Sequence, residues 1–341
     1  MKKSAAFLLA CSSLAWNAHG QSNVTLYGIM DQSLRRVMNG NDHRTEIASG
    51  GMAASRFGVR GVEDLGQGLK AEFVLESQIS ADTGTVSSKF FGRRSTIGLI
   101  SATAGEIRIG RDFSPNYRVG TLIADPFGNA GMGAVDTIAS TQSFNGATYN
   151  THARLDNSIT YFLPNTLGGV YGQVTTAAGE KTSGNAYNGG LLGYRNKQLD
   201  IAVAYGQTRI TQDWLKENSA AVSYDIKVAR LMAAWSQIKY QAATEDHYNI
   251  GVNVPMGPGS IRALWATSKG SGGTLSADGA DNQASKLALG YVYDLSKRTA
   301  LYATATRIKN RGGAAFTFAP GAALANGSTS TGYDLGIRHM F

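Results

Sequence analysis

Basic side chains recur at one parity along several alternating stretches: Arg56, Arg60, Lys70, Arg108, Arg154 and Arg262. Glu72 and Glu76 share the face of Lys70, opposite Leu69, Ala71, Phe73 and Leu75. So many charges on one strand face are too many for a packed core and suit a wet interior. The chemistry available to such a set is electrostatic. Rows of cations lower the energy of a passing anion, while weak binding lets it leave. Covalent chemistry has little to work with. The chain has no HExxH and no GxSxG motif, and the Gly-rich run around Gly270 does not sit between a strand and a helix. His247 follows Asp246, but neighbours on a strand point to opposite faces. No catalytic residue, metal site or cofactor is expected.

The elements that would carry these charges are strands. The last stretch, Thr331 to Phe341, sets Tyr333, Leu335, Ile337, His339 and Phe341 against Asp334, Gly336, Arg338 and Met340. That is a period of two. A terminal strand would leave an open edge unless it pairs back to the first strand and shuts a barrel. The first strand is expected from Asn23 to Val37, the second from Ala53 to Glu63 and the third from Leu69. The same reading continues through Lys89–Ser101, Gly105–Asp112, Ala153–Leu163, Gly168–Ala178, Tyr187–Asn196, Leu199–Thr208, Lys216–Ile226, Val228–Lys239, Asp246–Pro255, Gly259–Ser268, Ala284–Asp294 and Thr299–Lys309. The fold class is therefore all-β, a 16-stranded antiparallel transmembrane β-barrel, since an even count lets the ends meet and this many strands leave a water-filled lumen.

Short connections such as Glu63–Gly68 and Pro255–Gly259 are set against long ones such as Asn39–Met52 and Asn310–Ser330. This asymmetry is that of outer-membrane barrels. Phe113 to His152 is the longest connection and has no convincing strand. It reads as a functional third loop that folds into the lumen and narrows it. Aromatic residues near strand ends, among them Tyr161, Tyr205, Tyr248, Tyr293 and Tyr302, read as membrane-interface girdles.

Residues 1–20 read as a secretory signal: Lys2 and Lys3, an apolar run from Ala5 to Trp16, and a small-residue site before Gln21. A lipoprotein-type cut before Cys11 is the rival. Residues 21–341 would then form the barrel domain. Processing removes the only cysteine and takes the formal charge from +8 to +6. No later run is apolar for long enough to span a bilayer as a helix. The basic residues are scattered along strands rather than clustered, so no nucleic-acid partner is expected.

Several pieces resemble the general porins of beta-proteobacteria, of the Neisseria and Burkholderia type. They are VTLYG at 24–28, SRFGVRGVEDLGQGLKAEFVLES at 55–77, FGRRSTIGL at 91–99, LDNSITY at 155–161, GYVYDLSKRTALYATATRIKN at 290–310 and the terminal RHMF. The resemblance implies a homotrimer of sixteen-stranded barrels in the outer membrane of a Gram-negative bacterium, with the third external loop as constriction. It carries constriction arginines onto Arg56, Arg154 and one of Arg93 and Arg94. Parity with Ile97 and Leu99 sends Arg94 inward and Arg93 outward, while the family's arginine aligns with Arg93; a bulge near Gly92 would turn Arg93 in. Both remain candidates. Asp125 and Asp136 on the loop would face them across the eyelet. Phe341 resembles the signal read by the barrel-assembly machinery. The expected function is passive diffusion of small hydrophilic solutes, with outer-membrane lipid around the barrel and a modest preference for anions. The alternatives are a substrate-specific channel and a surface-recognition or adhesin barrel with a plugged pore.

Overall fold

The computed structural model describes residues 23–140, 142–211, 213–272, 282–318 and 324–341. The signal sequence expected at 1–20 lies outside the described residues. Sixteen long strands follow one another: β1 Asn23–Asn39, β2 Arg56–Gly66, β3 Leu69–Ser80, β4 Arg94–Ser101, β5 Gly105–Phe113, β6 Arg154–Phe162, β7 Val170–Ala177, β8 Tyr187–Arg195, β9 Leu199–Arg209, β10 Trp214–Asp225, β11 Arg230–Tyr240, β12 Ala243–Met256, β13 Gly259–Ser271, β14 Asn282–Asp294, β15 Thr299–Arg311 and β16 Thr329–Met340. Each pairs antiparallel with the next, and β16 returns to β1 with Leu34 opposite Leu335. Phe341 extends that seam by exchanging two backbone hydrogen bonds with Gly28, each 3.1 Å. The barrel is closed, so no edge remains to be blunted.

Alternation decides which side chain faces where. Leu287 and Leu289 are 61% and 56% exposed, and Ala288 between them is fully buried. Val24, Leu26, Ile97, Leu99, Ile107, Ile109, Val174 and Leu335 join the exposed apolar surface that a bilayer would cover. Tyr161, Tyr205, Tyr248 and Tyr293 are exposed as a girdle requires. Tyr302 does not belong with them. Its position alternates with Leu301 and Ala303, so it is buried on the inward face, with its hydroxyl on Asp31.

Two departures from the alternation matter for function. The connection after β1 is not all loop. Asp42–Ser49 pairs with the outer half of β1, while β2 pairs with the inner half. Asp31 fills the step between the two partners by accepting from the backbone N–H groups of Gly51, Met52 and Ala53, at 2.7–3.1 Å. The fourth strand, expected from Lys89, begins only at Arg94, and the chain before it is turned back on itself by a Gly92 N–H to Lys89 carbonyl bond of 3.0 Å.

The connection between β5 and β6 carries short helical turns at Pro115–Tyr117, Arg118–Ile123, Gly131–Gly133 and Val135–Ile138, and a small hairpin, Ser143–Phe144 with Ala147–Thr148. Ser114 opens it as a cap, its hydroxyl accepting from Tyr117 N–H at 3.2 Å. Phe127, Met132, Val135 and Ile138 form an apolar cluster with Leu264, Ala266, Ala288 and Ile308, which alternate with the exposed stripe and so point inward.

Candidate functional site

Two of the expected arginines converge on one carboxylate, and a third stands beside them. Glu76, inward on β3, takes the Arg93 Nε at 2.6 Å, lies 3.7 Å from the Arg56 Nη1 and accepts the Tyr27 hydroxyl at 3.2 Å. Arg154 stands beside them, donating from Nε to the Arg93 carbonyl at 2.8 Å, with its guanidinium 4.5 Å from the Phe113 ring centre. Three cations against one anion leave an excess of positive charge at this spot. Arg94 belongs to a different group. It pairs with Glu72 at 3.4 Å, and Glu72 also takes the Arg60 Nε at 2.7 Å.

The conflict over the arginine pair therefore has a structural cause. Arg94 is the first residue of β4 and obeys its parity; Arg93 precedes the strand, so parity does not govern it. Something similar happens at Arg154. A β-bulge between Leu155 and Ser158, with Asn157 at φ 52°, interrupts the alternation just beyond it.

Across from this group, the β5–β6 connection presents Tyr117, Asn129, Asp136 and His152, which with Arg111 and Arg154 line a cavity of about 690 Å³. Tyr117 stacks on Phe113 with ring centres 4.9 Å apart and accepts from Asn129 Nδ2 at 2.9 Å. Burial and the nearby Asp136 raise its phenol, while Arg154 and Arg93 act in the other direction. His152 bridges two carboxylates: Nδ1 is 3.0 Å from the Glu217 Oε1, and Nε2 is 3.5 Å from the Asp136 Oδ2. Burial disfavours the imidazolium, but the two carboxylates outweigh it and lift the ring to about 10. In return, Asp136 is held below its ordinary range despite its own burial. The bridge is charged at neutral pH.

Asp125, also expected at the eyelet, is not among the residues that line this cavity; its carboxylate accepts from the backbone N–H groups of Phe127, Asn129 and Val135 at 2.8–3.1 Å. It shapes the turn of the loop, and burial pushes its carboxyl up to about 6. The loop is tied to the wall strands elsewhere. Asn249 donates to the Ala124 carbonyl at 2.8 Å, Asn116 to the Glu217 carbonyl at 3.0 Å, and Lys286 to Thr137 Oγ1 at 2.7 Å and to the Ala134 carbonyl. Glu245 accepts from Ser140 N–H and Oγ at 3.0 and 2.7 Å.

The remaining expected inward charges are spread along the wall. Arg108 pairs with Glu106 at 2.7 Å and with Asp112. Lys70 is exposed beside the Glu63–Gly68 turn, and Arg262 is on β13, well round the barrel from β2 and β3. Sequence reasoning gave no role to His152, Tyr117, Arg111 or Glu217. The signal was weak: a histidine two residues before Arg154, and a Tyr next to Arg118 in a segment without periodicity. Arg111 falls on the outward parity of its strand, yet it reaches the Gly92 carbonyl and Asp156, each at 2.6 Å.

A family model described as Gram-negative porin matches residues 4–313. The chain is similar to outer membrane porin protein 32 of Delftia acidovorans, 34% identical over 365 aligned residues that cover both proteins fully. It is also similar to the major outer membrane protein P.IB of Neisseria lactamica, 26% identical over 377 aligned residues, again covering both in full. Among solved structures, the anion-selective porin from Comamonas acidovorans superposes with a TM-score of 0.81 at 31% identity, covering 94% of this chain and 100% of that one.

Proposed function

Because this chain belongs to the Gram-negative porin family of outer-membrane β-barrels, we propose that it is a general diffusion pore for small hydrophilic solutes with a preference for anions. The observation that carries the preference is the group of Arg56, Arg93 and Arg154 around the single carboxylate of Glu76. We infer that the β5–β6 connection lies within the lumen and forms the eyelet with this group. Its apolar contacts with inward residues of β13–β15 and its polar ties to β10, β12 and β14 support that reading. Of the two acidic residues expected there, Asp125 is occupied by backbone donors and Asp136 is partly neutralised by His152. The net field at the eyelet is then positive, which favours anions without holding them. Transport is passive and involves no chemical step. The similarity to the anion-selective porin from Comamonas acidovorans points the same way.

The test is the reversal potential across a planar bilayer with a salt gradient. An anion-preferring sign is expected, and a clear cation preference would overturn the reading. We also infer a homotrimer. Conductance should therefore rise in steps grouped in threes, and persistently single steps would refute the trimer without touching the selectivity.

A further inference from the structure

A second cavity, of about 380 Å³, is bounded by the turn Arg118–Ile123 and by inward residues of β5 to β8. It reaches the short connections at Ala102 and Pro164. Short connections mark the periplasmic side of an outer-membrane barrel. The cavity therefore lies on the far side of the β5–β6 connection from the eyelet group. It shares no lining residue with the cavity beside Arg154 and Asp136.

One side chain here is out of place in a water-filled pore. Among the described residues of the β5–β6 connection, Leu122 is the only large apolar side chain left exposed, at 44%. Its neighbours Val119 and Ile123 pack against Ala202, Ala204 and Ala221. Leu122 is left off that contact and lines the cavity together with Phe162, Tyr171 and Leu191. Lipid cannot cover it from inside the barrel, so a solute with an apolar body gains by doing so.

The charge beside this surface has one unit to spare. Arg60, Arg94, Arg108 and Arg118 are paired with Glu72, Glu106 and Asp112, four cations to three carboxylates. Arg195, also on the lining, is cancelled by Asp200. Arg118 gives Nη2 to Asp112 at 3.1 Å, but its Nε is buried without an acceptor. A buried donor left unpaired is costly, and an ionised acceptor relieves it best. The walls suit a flat π system. The guanidinium groups of Arg108 and Arg118 lie 4.4 and 5.6 Å from the Phe162 ring centre, and that of Arg195 lies 5.0 Å from the Tyr171 ring centre. An aromatic guest can meet these rings edge-to-face or offset, and the guanidinium planes by cation–π attraction.

We propose that this cavity is a subsite for a monocarboxylate carried on an aromatic ring, with the carboxylate on the Arg118 Nε and the ring between Leu122, Phe162 and Tyr171. The subsite rests on the reading that the β5–β6 connection lies within the lumen. It adds to the eyelet a second station, one that small inorganic anions have no use for.

The test uses the whole protein, in planar bilayers for block and in detergent for binding by saturation-transfer NMR. Benzoate should reduce the single-channel chloride conductance saturably, and acetate should not. Benzyl alcohol, which keeps the ring and lacks the charge, should not block. Cyclohexanecarboxylate, similar in size but without the π face, should bind about two- to ten-fold more weakly than benzoate. Arg118→Gln should weaken benzoate by about ten-fold or more. Leu122→Gln should weaken it by about five-fold and leave the chloride conductance unchanged. Saturation transfer should follow the same order, and it does not depend on conduction. A silent or cation-preferring pore whose benzoate binding keeps this order would end the diffusion reading and leave the subsite standing. Intact anion conduction with neither block nor binding by benzoate would overturn the subsite alone. So would a block that survives Arg118→Gln and disappears in Arg56→Gln, since the acid would then bind at the eyelet group.

Discussion

On β2 to β5 the inward positions carry Arg56, Arg60, Glu72, Glu76, Arg94, Arg108 and Asp112, whereas on β9 to β14 the small residues Ala202, Ala204, Ala221, Ala234, Ala266 and Ala288 stand among a few charges, Glu217, Glu245 and Lys286, that bond to the β5–β6 connection. Both walls obey the same two-residue alternation, and both put bulky apolar side chains outward. The difference is one of volume and charge. Arginines are long and hydrated, so a wall of them needs water in front of it. Alanines leave room for another layer of chain, and that is where Val119, Ile123, Phe127, Met132 and Ile138 of the β5–β6 connection pack. One wall is built to be wet and the other to be covered.

The sharpest way to break this contrast is to discharge the wet wall. A unit charge about 4–8 Å from a passing ion in a watery pore is worth about 0.5–1 kcal/mol, or about a two- to six-fold change in relative permeability. Replacing Arg56, Arg93 and Arg154 together with Gln leaves Glu76 uncompensated, so the reversal potential should change sign toward cations. Each single change should move it part of the way. Arg94→Gln, which belongs to the Glu72 group, should move it less than Arg93→Gln; an equal shift would merge the two groups.

The next effect comes from the boundary between the walls. His152→Gln removes the cation between Asp136 and Glu217, so selectivity should move toward cations by about the single-charge amount, and Asp136→Asn in the same chain should restore it. The pH dependence follows the same logic. His152 is raised from 6.5 to about 10, so its ion pairs contribute fully below about pH 6.5 and are lost as pH rises through about 10. Anion preference in the wild type should therefore decline above pH 9, and the decline should be smaller in His152→Gln. A flat profile would remove His152 from the eyelet.

Much of this division can be read from the sequence. The alternation in β3 and in β14 to β16 finds the strands, because each has one face against lipid and cannot slip by a residue without exposing charge to it. Arg56 and Glu76 obey that rule. It stops where the backbone leaves the ladder. Arg93 sits in the turn before β4, Arg154 just before a bulge, and Asp125 in a loop where parity has no meaning. Asp125 also shows that a residue's type does not reveal its partner: three backbone N–H groups claim its carboxylate. Nothing periodic marks His152 as a bridge, since both carboxylates it joins are distant in sequence.

The smallest expected effect lies on the covered wall. Lys286 is buried and donates to Thr137 Oγ1 and to the Ala134 carbonyl. Lys286→Met keeps most of the volume but leaves those two acceptors without a donor, at a cost of about 1–3 kcal/mol. Sixteen paired strands should hold the barrel together at that cost, so the loss should fall on the connection alone. Protease cleavage between Asp125 and Ser140 should become faster and single-channel records noisier, while the sign of the reversal potential stays as it was. A change in sign would mean that the covered wall also sets selectivity, and the contrast between the two walls would fail at that point.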